Sequence, residues 1–94
     1  MASRTIEIVA PEGTGITTKT ITDKMNKRFF EIKDANPLGF MDQFDQQFDM
    51  ICMDIAAENN GVYDRQEIDG KEELLFVYGG VSIEQARNMI AGMG

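Results

Sequence analysis

Five apolar residues, Phe40, Phe44, Phe48, Ile51 and Ile55, recur at steps of three or four along one stretch of this chain. That spacing puts all five on a single face of an α-helix. Asn36 suits the N-cap before it, and Pro37 suits the first helical position, because proline has no N–H to leave unpaired there. Asn59-Asn60-Gly61 supplies residues that accept the left-handed conformation of a helix end. The pattern predicts a helix over 37–59. So large an apolar stripe must be buried against something, and in a chain of 94 residues that something is a small sheet.

The sheet announces itself downstream. Asp69-Gly70 is the signal of a two-residue type I′ hairpin turn. Such a turn pairs Ile68 with Lys71, Tyr63 with Phe76 and Val62 with Val77. The return strand Leu74-Leu75-Phe76-Val77-Tyr78 is apolar on both faces, which predicts an inner strand. Its partner Tyr63-Asp64-Arg65-Gln66-Glu67 is polar and predicts an edge. Gly79-Gly80 breaks the strand. Ser82 with Gln85 three residues on forms a capping box, with Val81 and Ala86 as its hydrophobic staple. Ile83, Ala86, Met89 and Ile90 make the buried stripe of a short last helix.

The amino-terminal third is less decisive. Thr5 to Ala10 alternates, with Ile6, Ile8 and Ala10 on one side, which predicts a strand. Pro11 to Gly15 is a loop. The run Ile16 to Thr22 is rich in β-branched residues, and we read it as a return strand, with a turn at 23–26 and another strand over 28–33. The competing pattern is a helix, since Ile21, Met25, Phe29 and Ile32 also stand at helical spacing. The expectation is one α+β domain spanning 1–94. It has a small antiparallel sheet of three to five strands, one long helix packed on a face and a short C-terminal helix beside it or at the sheet edge.

Charge and composition narrow the function. The net charge is −7, unsuited to displacing counterions from nucleic acid or to adhering to an anionic membrane. Residues 34–64 hold seven acids and no base, whereas residues 1–33 hold six bases and four acids, with Lys24, Lys27, Arg28 and Lys33 clustered. There is no histidine, so the commonest general base and zinc ligand is missing. Cys52 stands alone, which suits a reducing cytoplasm, and its neighbours Ile51 and Ile55 mark it as a buried structural thiol. No apolar segment reads as a signal core or membrane span. Gly13-Thr14-Gly15 lacks the lysine and the third glycine of phosphate-binding turns. The segment 34–45 resembles a calcium loop through Asp34, Asn36, Gly39, Asp42 and Asp45. Leu38 stands where an oxygen ligand is needed, however, and Asp45 replaces the longer bidentate glutamate. We assign no catalytic, cofactor or metal residue.

What remains is binding. Asp42, Asp45 and Asp49 form an acidic stripe opposite the phenylalanines of the predicted helix. Met50, Met53 and Ala57 continue that side as an apolar patch, to be covered by the last helix through Met89, Ile90 and Met93 or by another chain. We expect a non-enzymatic, cytoplasmic protein-binding module. It would act as an inhibitor, adaptor or regulator on a basic surface of its partner, as small accessory proteins of phages and mobile elements do. The alternative is a self-associating assembly subunit, a homodimer for example. A calcium or small-ligand domain is the third reading.

Overall fold

The computed structural model describes residues 3–93. Its elements run β1 (Ser3–Val9), α1 (Thr18–Ala35), α2 (Phe40–Ala57), β2 (Val62–Ile68), β3 (Lys71–Val77) and α3 (Ile83–Met93). The three strands form one sheet in the order β1-β3-β2. The architecture is α+β with a small sheet, as the sequence pattern implies.

The hairpin has the predicted register: Val62 pairs with Val77, Tyr63 with Phe76 and Ile68 with Lys71. Its turn places Asp69 at φ 51° and Gly70 at φ 76°, the pair of positive values that a type I′ turn requires. β3 is central, and Leu74 to Tyr78 are all buried. Even-numbered Leu74, Phe76 and Tyr78 pack with Ile6 and Ile8 of β1 against the two long helices. Odd-numbered Leu75 and Val77 pack with Val9 against Ala86, Ile83 and Ile90 of α3. The period-2 alternation of the strands thus builds two cores.

Three expectations are corrected. The sheet is mixed rather than antiparallel, because β1 runs parallel to β3, with Ile6 beside Leu74 and Ile8 beside Phe76. A parallel neighbour needs a crossover, and α1, α2 and β2 supply it. Residues 18–35 form a helix rather than strands. Thr17 starts it with a reciprocal cap: the Thr20 N–H donates to Thr17 Oγ1 at 3.3 Å, and the Thr17 N–H donates to Thr20 Oγ1 at 3.2 Å. The stripe Ile21, Met25, Phe29 and Ile32 then faces the core, with Ile21 and Ile32 buried. Burial of that stripe outweighs the weak β-preference of Ile16 to Thr22. There are accordingly two long helices, an antiparallel pair on one face of the sheet, and α3 lies on the other face instead of beside α2.

The third correction is a boundary. α2 begins at Phe40, and Asn36 is the C-cap of α1. Asn36 does accept the Gly39 N–H on Oδ1 at 3.1 Å, so it ties the turn between the helices. At the far end Asn60 takes φ 59°, and the Gly61 N–H returns to the Ala56 carbonyl at 2.8 Å. A Cβ on Gly61 would lie 2.4 Å from the Tyr78 ring, so only glycine fits there. At α3 the predicted capping box forms, with the Gln85 N–H donating to Ser82 Oγ and the Ser82 N–H to Gln85 Oε1, both at 3.1 Å.

Candidate partner-binding surface

The buried face of α2 comprises Phe48, Ile51, Cys52, Ile55 and Ala56. Its partner helix α1 lies along one flank. Arg28 pairs with Asp54 at 3.5 Å and Lys24 with Glu58, so part of the basic cluster neutralises part of the acidic segment within the fold. β2 lies along the other flank. There Tyr63 donates its phenolic hydrogen bond to Asp49 Oδ1 at 3.0 Å, and Arg65 pairs with Asp49 at 3.3 Å. Arg65 also shares Glu72 of β3 with Arg4 of β1, at 3.2 and 2.8 Å. This ladder of side chains runs across all three strands and fastens α2 to the sheet.

The remaining side of α2 faces outward. Asp42, Asp45, Asp49, Met50, Met53 and Ala57 are all exposed. Met50 keeps 47% and Met53 53% of its surface open. α3 packs on the opposite face of the sheet and leaves these methionines uncovered. Met and Ala at i, i+3 and i+7 form an apolar ridge along the helix, with Asp42 and Asp45 displayed toward its amino-terminal end. Asp49 differs from the other two acids, because its carboxylate is already engaged by Tyr63 and Arg65.

The chemistry available nearby is modest. Burial pushes the Cys52 thiol up to about 11, away from the thiolate needed for nucleophilic work. Burial, together with the neighbouring Cys52 and the Asp49 carboxylate, also holds the Tyr63 phenol well above the usual tyrosine range. Among the described residues no three acidic or cysteine side chains converge to hold a metal. The segment 34–45 that resembles a calcium loop is divided between the end of α1, a turn at 37–39 and the start of α2. Asn36 directs its side chain to Gly39 and to Gln43.

Sequence reasoning missed the tether formed by Arg4, Glu72, Arg65 and Tyr63, since it depends on β1 lying next to β3. It also missed Arg87, which lies over the α3 face of the hairpin and bonds Asp64 at 2.6 Å and Glu73 at 3.0 Å. No protein-family model matches the chain, and neither a curated protein nor a solved structure matches it. No helix among the described residues is long and apolar enough to cross a membrane.

Proposed function

We propose that this protein is a non-enzymatic binding module that docks through the outer face of α2 on a partner protein with a basic, partly apolar surface. The observation that carries the reading is the half-open state of Met50 and Met53 on a helix whose other sides are occupied by α1, the sheet and β2. Methionine is unbranched and polarizable, so it fits irregular partner surfaces. An apolar centre with charges at its margin is also the usual anatomy of an interface. Asp42 and Asp45 provide that charge, and their role is to steer and orient a basic partner. A module of this kind acts by occupying its partner, as an inhibitor, adaptor or regulator does.

A photo-crosslinking residue at position 53, expressed in the cell that encodes the protein, tests this. The expected result is an adduct with one basic protein, absent when the crosslinker stands at Lys27 on α1. Equal adducts at both positions would remove the α2 face from consideration. A crosslink to a second copy, with a dimer by light scattering, would favour the assembly reading instead. Pairing two chains that each carry −7 works against that outcome.

A further inference from the structure

The two edges of the sheet are open in different ways. Along β1 the Tyr78 N–H donates to the Val9 carbonyl at 2.8 Å. A residue in a strand sends its N–H and C=O to the same side, and successive residues alternate. Val9, Glu7 and Thr5 therefore direct their backbone groups to β3, and Arg4, Ile6 and Ile8 direct theirs away from the sheet. These six polar groups form an unpaired ladder. No backbone group of the following loop bonds to them among the described residues.

A trench runs beside this ladder. It consists of two concavities of about 330 and 550 Å³ that both include Ile6 and together follow the strand from Arg4 to Ala10. In its Arg4 half the apolar wall is Met25 with three phenylalanines in edge-to-face contact, Phe48 to Phe44 at 5.7 Å and Phe44 to Phe29 at 5.2 Å between ring centroids, and in its Ala10 half the wall is the loop from Gly13 to Thr17. A cation closes the Arg4 end. The Arg4 guanidinium lies 4.3 Å above Phe48. It gives only its Nε–H to Glu72, and about half of the side chain stays open to solvent. Glu7, the one acid of the trench lining, is at an odd position, so its side chain belongs to the α3 face.

We propose that the free edge of β1 is a second docking site, which takes an extended apolar peptide segment of a partner protein, with a carboxylate at the end beside Arg4, as a fourth strand. The unpaired groups of Arg4, Ile6 and Ile8 supply the backbone hydrogen bonds. Every second side chain of the peptide enters the trench against Phe29, Phe44 and Met25. The open N–H groups of Arg4 receive the acid. This is strand addition, in which the main chain supplies affinity and alternate side chains supply specificity. The site is opposite in charge preference to the α2 face and independent of it.

The test uses the full-length protein against a phage-displayed library of random octapeptides. The selected consensus is expected to alternate Val, Ile, Leu or Phe with other residues, to carry Asp or Glu at one end and to lack proline. A synthetic peptide of that consensus should shift the amide resonances of Arg4, Ile6 and Ile8 and slow their exchange. Replacing that acid by lysine should weaken binding roughly tenfold, as should raising salt to about 0.5 M. Asn26→Trp fills the trench from its exposed rim without touching the core. It should abolish binding while its melting temperature stays at the wild-type value. No enriched consensus, a basic or proline-rich consensus, or binding undiminished in Asn26→Trp would overturn the proposal. So would protection of the Ile6 and Ile8 amides without peptide in a dimeric protein, which would assign the edge to a second copy.

Discussion

β2 and β1 occupy equivalent places, one at each edge of the same three-stranded sheet, yet their side chains treat the edge in opposite ways. β2 reads Asp64-Arg65-Gln66-Glu67, and its charges are held in place from both faces, by Asp49 through Arg65 and by Arg87 through Asp64. Charged side chains at an edge discourage pairing with other strands. β1 reads Thr5-Ile6-Glu7-Ile8-Val9, with neither proline nor bulge, and its helical neighbours stop short of its outer side and leave a trench. The difference teaches that an unguarded edge is informative only when a guarded one stands beside it. The same chain sets charged or polar side chains at four successive positions of β2, whereas β1 carries charge only at Arg4 and Glu7.

Five perturbations break or sharpen this contrast, taken in order of expected effect. Phe76→Ala removes the largest side chain of β3 that faces the long helices, on the strand both edges share. The cost should be about 3–5 kcal/mol, enough to abolish a cooperative thermal transition in a domain of this size. Raising the pH acts next, and on the β2 side. The Cys52 thiol, near 9 when unfolded, sits at about 11 in the fold. The unfolded chain therefore loses its proton first, and the stability held below pH 9 is lost as pH rises through 11. Urea denaturation between these values should show a fall of roughly 2 kcal/mol from this thiol. Cys52→Ala should remove the part that sets in near pH 9, while the part set by the raised Tyr63 and Tyr78 phenols above pH 10 remains.

Arg87→Ala frees Asp64 of β2 and Glu73 of β3 on the other face of the hairpin. A loss of about 1 kcal/mol is expected, smaller in high salt, because the guanidinium is partly open to solvent. Tyr78→Phe should go the other way. The Tyr78 hydroxyl is buried without a hydrogen-bond partner, and removing it should raise stability by about 1 kcal/mol, seen as a higher melting temperature. Thr5→Lys gives β1 the kind of charge that guards β2. Its stability change should stay within about 0.5 kcal/mol, while strand addition at that edge weakens.

The legible parts of the fold were those set by neighbours in sequence. The Asp69-Gly70 turn fixed the hairpin register to the residue, the apolar run 74–78 marked the central strand, and Ser82 with Gln85 marked the start of α3. The helix 18–35 was misread because Ile16 to Thr22 favours strand locally. Its competing stripe of Ile21, Met25, Phe29 and Ile32 acquires weight only when α2 and the sheet are there to bury it. Asn36 carried the right chemistry at the wrong boundary, since its side chain caps the turn at Gly39 one residue before α2 starts. The parallel pairing of β1 with β3 joins segments nearly seventy residues apart, and no local pattern specifies it. The trench, the tether through Glu72 and the Arg4 guanidinium over Phe48 all follow from that pairing, so they were hidden with it. On α2 the sequence did place Asp42, Asp45, Met50, Met53 and Ala57 on one open side. It did not separate Asp49, whose carboxylate the fold employs internally.

The reading of this protein as a binding module rests on the open side of α2, and one titration tests it most directly. The partner captured at position 53 is titrated calorimetrically against the wild-type protein and against Met50→Glu/Met53→Glu, whose substitutions lie on the surface and should leave the melting temperature near its wild-type value. The account predicts a loss of affinity of roughly a hundredfold or more, as expected when the apolar centre of an interface is made charged. Equal affinity for the two proteins would contradict it.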